Sequence, residues 1–263
     1  MILASLLSDP AGLIGLAVLA AAAFGAGVLN AIAGGGSFLT FPALVWSGID
    51  PIAANATSAV AVSPGYLGST LGFRAELARL PRERLIEDSL ICALGGLLGA
   101  AALLLTPAKV FSAVVPWLLL FATALFALGP WLLQRRSEPL GVPVRRIGLL
   151  AVAIYGGYFN GGLGILLMAL LSLTGERDLH TANALKNLGS LVLSLLSVAA
   201  FAWAGAIRWP AAVLMMAAAT LGGFAGARLA RRLPVRVVRA VVIVTGLVMT
   251  ALFMAQNAGP GAH

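Results

Sequence analysis

The stretch NAIAGGGSFLTFP, residues 30 to 42, places three consecutive glycines between two apolar segments. Glycine costs about 1 kcal/mol relative to alanine inside a helix, so three in a row weaken a helix at that point. A second stretch, NGGLGI at residues 160 to 165, interrupts another apolar run in the same way. The sequence therefore predicts two interrupted helices, each followed by a short apolar segment.

The composition of the chain is that of an integral membrane protein. Of its 263 residues, 60% are hydrophobic and only 10% are charged, which is far from the makeup of a soluble domain. Most apolar runs are long enough, at about 1.5 Å per residue, to approach or cross a hydrocarbon core of about 30 Å. We expect an all-α polytopic membrane protein with about eight full spans. Two further segments, 37 to 47 and 164 to 173, are short and either cross or re-enter.

The basic residues follow the pattern of membrane topology. The net charge is +8, but the arginines are concentrated in short loops between apolar runs. Loops rich in Lys and Arg face the cytoplasm. We therefore predict contact with the lipid bilayer, no nucleic-acid partner, and both chain termini outside. The loops placed in the cytoplasm are those around residues 74 to 84, 135 to 146, 177, and 228 to 239.

The chain contains two related halves. GGLLGA at residues 95 to 100 recurs as GGFAGA at residues 222 to 227, at an offset of 127 residues that other matches share. Because the basic loops place equivalent positions on opposite sides of the membrane, we predict two inverted repeats. The glycines of these two motifs are expected to pack helices together. The predicted organisation is a first repeat at 1–133, a cytoplasmic linker at 134–146 and a second repeat at 147–263.

Paired breaks at corresponding positions of two inverted halves indicate a binding site near the middle of the membrane. Broken backbone leaves polar groups that hydrocarbon does not satisfy, and helix N-termini at the breaks direct positive dipole ends towards an anion. The alternative is close helix packing through small residues. We predict that the break glycines face a cavity. These glycines are Gly34, Gly35, Gly36 and Gly162.

Lys186 is the only charged residue predicted to lie well inside an apolar run. An ionisable group held in the membrane is costly and by default functional. All nine acidic residues fall in loops or at the ends of runs. An anionic substrate is therefore the expected partner of Lys186, and the alternative is that its side chain snorkels to the cytoplasmic interface.

Amide and hydroxyl side chains accompany Lys186 in both halves. Such donors suit the oxygens of a small anion, and the alternative is hydrogen bonding between helices. At the breaks, Asn30 and Asn160 either cap the broken helices or contact the substrate, with capping favoured. The remaining candidate substrate-binding residues are Asn183, Asn187, Ser190, Asn55 and Ser58.

Other chemistries have few residues to support them. The only histidines are His180 and His263, and Cys92 is the only cysteine, so we expect no metal site and no cofactor. Enzyme activity is not expected. Ser190 lies one turn after Lys186, and the alternative is that Ser190 acts as a nucleophile with Lys186 as its base. A passive anion channel would favour a continuous polar ring and is the alternative to a carrier. Helix faces of small residues do not decide the oligomeric state, and a homodimer is one of the states that remain open.

Several motifs together resemble the TauE/SafE family, also called the sulfite exporters or toluene-sulfonate uptake permeases. The resemblance covers about residues 11 to 256. It implies a carrier in the bacterial inner membrane for sulfite, sulfoacetate or a related organosulfonate. We expect export by alternating access, and import of a sulfonate is the alternative. Besides the early glycine break, the motifs are ANATS at 54–58, ANALKN at 182–187, IRWPAA at 207–212 and GGFAGARLARRLP at 222–234.

Overall fold

A computed structural model describes residues 10 to 32, 35 to 134, 140 to 229 and 235 to 258. Regular secondary structure in these residues is entirely α-helical, in eleven helices. The first half contains α1 (Pro10–Ile32), α2 (Ser37–Trp46), α3 (Pro51–Gly72), α4 (Arg74–Leu77), α5 (Arg82–Leu105) and α6 (Ala108–Gln134). The second half contains α7 (Val142–Tyr158), α8 (Leu163–Leu173), α9 (Leu179–Trp203), α10 (Trp209–Leu229) and α11 (Val235–Ala258).

Within the described ranges, four helices contain a segment long and apolar enough to cross a membrane, and four shorter apolar segments accompany them. The predicted all-helical membrane character is thus confirmed. The number of full spans, the inversion of the halves and the repeat boundaries stay predictions. The four long segments are Leu13–Ala31, Arg82–Leu105, Ala108–Leu125 and Leu179–Trp203.

The two halves place their helices in the same order. Each begins with a helix that ends at a glycine-rich break, continues with a short helix and then adds three long helices, and the first half has the four-residue α4 in addition. Among the described residues, Gly35 and Gly36 lie outside the helices before α2, and residues 159 to 162 lie outside the helices before α8. Both predicted interruptions are therefore confirmed, whereas Gly34 itself lies outside the described residues.

Glycines bring helix backbones into close contact at two interfaces. A Cβ atom at Gly99 of α5 would overlap the carbonyl oxygen of Ile154 in α7. A Cβ atom at Gly222 of α10 would likewise overlap the carbonyl oxygen of Phe24 in α1. The predicted packing role of the GGLLGA and GGFAGA motifs is confirmed at these positions.

Gly99→Ala is expected to lower the free energy of unfolding by about 1 to 3 kcal/mol, because the new methyl group has no room between α5 and α7. The matched control is Gly15→Ala in α1, where no atom lies within 4 Å of the added Cβ. Alanine is the better helix former at such an open position. Thermal unfolding in detergent compares the two variants, and equal melting temperatures would contradict the close packing of α5 against α7.

A cluster of ion pairs lies where α5, α7 and the segment after α8 meet. Asp88 of α5 pairs with Arg145 of α7, and both side chains are buried. Arg145 also contacts Glu87 at 3.3 Å, and Arg84 reaches Glu176 at 3.1 Å. Asp88 does lie at the end of its apolar run, but its burial is not foreseen by the sequence pattern. Since Arg145 compensates its charge, Asp88 is not a free counter-ion for another buried cation.

Candidate functional site

A cavity of about 380 Å³ lies between α1 and α3 of the first half and α8, α9 and α10 of the second. It therefore lies where the two halves meet. Asn30 of α1 and Lys186 and Asn187 of α9 line it, so three of the predicted site residues are brought together. The lining that the structure describes contains no Asp, Glu or His. The cavity thus offers hydrogen-bond donors and one positive charge.

The position of Lys186 is set by the start of α9. Asp178 caps this helix, and its carboxylate accepts hydrogen bonds from the Thr181 hydroxyl at 2.6 Å and the Thr181 backbone N–H at 2.9 Å. These hydrogen bonds hold the pKa of the exposed Asp178 carboxyl below its ordinary value. The cap fixes the first turn of α9, about two turns before Lys186.

The Lys186 side chain is buried, with 7% of its surface exposed. Its Nζ donates a hydrogen bond to Oδ1 of Asn183 at 3.1 Å, and Asn183 in turn donates to the carbonyl oxygen of Leu179 at 2.9 Å. The ion pairs found in the described residues do not include Lys186. An ammonium group has three N–H donors, so two remain for a ligand. Burial beside the cavity favours this role over snorkelling.

Two amides add donors to the cavity. Asn187 is 6% exposed, and its side chain forms no hydrogen bond within the described part of the chain. Asn30 accepts a hydrogen bond from the N–H of Gly36 at 2.8 Å. The Asn30 oxygen therefore satisfies the N–H of Gly36, the residue just before α2, although α2 itself has no side-chain cap. Its NH₂ group remains available to the cavity.

The second break uses its asparagines differently. Asn55 of α3 donates to the carbonyl oxygen of Tyr158 at 3.1 Å and accepts from the N–H of Asn160 at 3.4 Å. Oδ1 of Asn160 is buried and has no hydrogen-bond partner among the described atoms. α8 begins at Gly162 without a side-chain cap. The side-chain capping role favoured for Asn160 is therefore wrong, because its Oδ1 binds no N–H of α8, and only its backbone carbonyl oxygen accepts from the N–H of Leu163 at 3.4 Å.

Other predicted site residues do not line the cavity in this conformation. Ser58 shares a hydrogen bond with Thr40 at 2.6 Å. Ser190 is fully buried, and its hydroxyl has no partner in the described chain. Gly162 has φ 78°, a left-handed conformation that favours glycine, and its carbonyl oxygen accepts from the N–H of Ile165 at 3.0 Å. The described residues absent from the lining are Asn55, Ser58, Asn160, Gly162, Asn183, Ser190, Gly35 and Gly36.

Three polar residues of the cavity were missed by the sequence reasoning, namely Tyr66 and Ser69 of α3 and Thr220 of α10. Tyr66 and Ser69 lie in SPGYLGS, residues 63 to 69, where polar groups alternate with glycine inside an apolar run. Such a segment exposes backbone and polar side chains that hydrocarbon does not satisfy. This signal indicates a cavity wall and was available in the sequence. Thr220 gives no comparable signal, because a threonine in an apolar helix can satisfy its hydroxyl within that helix. Here the hydroxyl donates to the carbonyl oxygen of Met216.

Comparison with known proteins agrees with the membrane character of the chain. A family model described as "Sulfite exporter TauE/SafE" matches residues 19 to 253. No solved structure matches the chain.

Three similar proteins are each named as probable membrane transporter proteins. YfcA of Escherichia coli is 28% identical over 254 residues, which cover 93% of this chain and 91% of YfcA. A protein of Haemophilus influenzae is 31% identical over 242 residues, covering 90% of this chain and 93% of that protein. A protein of Sinorhizobium is 27% identical over 252 residues, covering 93% and 94%.

Proposed function

Because the chain belongs to the TauE/SafE sulfite exporter family, we propose that it carries a small sulfur-containing anion out of the cell across the bacterial inner membrane. The family and the relatives support a multi-pass membrane transporter. The proposed substrates are sulfite, sulfoacetate and related organosulfonates. Import of a sulfonate and passive anion conduction are the competing functions.

The observation that carries the proposal is Lys186 in the cavity between the halves. Its ammonium group is buried, has no carboxylate partner in the described chain and retains two free N–H donors. An uncompensated buried charge is unfavourable, so an anion entering the cavity relieves that cost. Neutral donors on Asn187 and Asn30 accommodate further oxygens of the same anion.

The size of the cavity supports an organic anion or a hydrated inorganic one. A water molecule takes up about 30 Å³ of liquid volume. A cavity of about 380 Å³ therefore exceeds the needs of one sulfite ion. The additional wall is largely apolar and includes Val62, Pro64 and Phe224, which suits a short carbon chain attached to the sulfonate.

Alternating access is the proposed mechanism. Two inverted repeats would expose a site at their interface first to one side of the membrane and then to the other. The cavity has walls from both halves, and the halves carry the same order of interrupted and long helices, which supports this mechanism. A channel would instead need a continuous polar pathway.

A flux screen in proteoliposomes tests the proposal. We expect saturable flux for at least one of sulfite, thiosulfate, sulfoacetate and taurine, with sulfate as the fully oxidised inorganic comparison. Liposomes without protein are the control. Failure of all these anions to cross would overturn the proposed function, whereas flux that does not saturate would assign the protein to the channels.

A further inference from the structure

The three tyrosines of the chain differ in what their hydroxyl groups bind. Tyr155 donates to the carbonyl oxygen of Gly161 at 2.8 Å, and Tyr158 donates to Oγ1 of Thr106 at 3.4 Å. The hydroxyl of Tyr66 forms no hydrogen bond within the described residues, although only 6% of this side chain is exposed. Buried tyrosine hydroxyls usually have a partner. The missing partner of Tyr66 therefore needs an explanation.

Tyr66 lines the same cavity as Lys186. Its oxygen is not among the fully enclosed unpartnered atoms, unlike the hydroxyl of Ser190, so it keeps some accessible surface on a residue that lines the cavity. A group that enters the cavity can therefore reach it. Lys186 belongs to α9 of the second half and Tyr66 to α3 of the first, so the two groups approach a ligand from different halves.

The Tyr66 ring is held in place between these two helices. It packs with Val62 of its own helix and with Leu191 of α9. Beside it, the hydroxyls of Ser63 and Ser194 share a hydrogen bond at 2.7 Å, which joins α3 to α9. These contacts fix the ring, so its hydroxyl is already positioned before a ligand arrives and little side-chain entropy is lost on binding.

We propose that Tyr66 is a second anion-binding residue, whose hydroxyl donates to one oxygen of the substrate while Lys186 binds another. This inference rests on the proposed function. A phenol donates a single hydrogen bond and carries no charge at neutral pH, so it adds direction without adding a second cation. The substrate must then present at least two oxygens on one centre, as a sulfonate or sulfite does and a halide does not. Such an oxyanion bridges the two halves.

Tyr66→Phe removes only the hydroxyl and keeps the packed ring. We expect the Kd for sulfoacetate or sulfite to rise about 10-fold or more, because a hydrogen bond to a charged ligand is lost. The melting temperature of the ligand-free protein should stay the same or rise, since a buried polar group without a partner disappears. Titration calorimetry and thermal unfolding in detergent give the two readouts.

Tyr158→Phe is the matched control, because its hydroxyl bonds to protein and Tyr158 is not among the described cavity residues. It should lower the melting temperature and leave the Kd within about twofold. Loss of affinity in Tyr66→Phe with a comparable loss of ligand-free stability would assign its hydroxyl to folding and overturn the inference.

Lys186→Met, measured alongside, separates the two proposals. Wild-type protein that binds none of sulfite, thiosulfate, sulfoacetate and taurine overturns the proposed function. Wild-type binding that is lost in Lys186→Met but unchanged in Tyr66→Phe overturns the role of Tyr66 alone. Weaker binding in both variants, with the ligand-free stability of Tyr66→Phe preserved, supports both proposals.

Discussion

Lys186→Ala is expected to lower the affinity for substrate at least about 100-fold, so that binding is no longer detected, while the protein remains folded in detergent. The substitution removes the only cation among the described cavity residues, together with charge-assisted hydrogen bonds of about 1.5 to 3 kcal/mol each. Stability should be retained or increased, because a buried charge without an ionic partner disappears. Titration calorimetry and thermal unfolding measure the two effects.

The chain provides its own control, because Lys109 is its only other lysine and lies exposed at the start of α6. Lys109→Ala should bind substrate as the wild type does. Lys186→Arg should be only partly tolerated, since a planar guanidinium does not replace a compact ammonium. Wild-type affinity in Lys186→Ala would remove the central argument for the proposed site.

The helical interruptions were predictable because their causes are local. Glycine runs weaken a helix wherever they occur. The length of the apolar run on each side of the glycines then gives the length of helix on that side. The breaks after Ile32 and Tyr158 accordingly appear where the sequence places them. Lys186 was predictable for a similar reason, since one charge within a long apolar run must face protein or a cavity.

The hydrogen-bond partners of the second break were not predictable, because they depend on packing between distant helices. Asn160 resembles Asn30 in its position before a break, yet its N–H binds Asn55, 105 residues earlier in the chain. Gly162 reaches a left-handed conformation and starts α8 without help from a side chain. Which residue caps a helix thus follows from what packs beside the break. The burial of Asp88 beside Arg145, 57 residues away, has the same kind of cause.

The internal repeat also shows how the two halves have diverged at the site. At an offset of 128 residues, Asn55 corresponds to Asn183 and Ser58 corresponds to Lys186. In the second half this pair forms the Asn183–Lys186 hydrogen bond, whereas in the first half Ser58 is bonded to Thr40 and Asn55 to the second break. The first-half pair therefore holds helices together. A positive charge is present in only one of the two related positions, and this is the position that the proposed function uses.

The absence of titratable carboxylates from the described cavity lining bears on how transport is driven. Proton-coupled carriers commonly place Asp, Glu or His in the membrane as the titrating group. Here the buried carboxylate of Asp88 is paired with Arg145. Because the protein returns to its starting state after each cycle, the charge of Lys186 cancels, and the net charge carried in one cycle would be that of the anion alone. We therefore propose electrogenic export driven by the membrane potential.

An inside-negative potential is expected to drive a monovalent anion outward to a gradient of roughly fiftyfold per 100 mV, since one charge gains about 2.3 kcal/mol across that potential. The measurement is efflux of the anion identified in the screen from proteoliposomes that carry a potassium-diffusion potential, with equal pH on both sides. Vesicles with equal potassium inside and outside are the control and should show no accumulation outside. Changes of pH should alter the rate mainly through ionisation of the substrate itself. Flux that ignores the potential but follows an imposed pH gradient would refute voltage-driven export and would direct attention to Lys186 or His180 as the proton carrier.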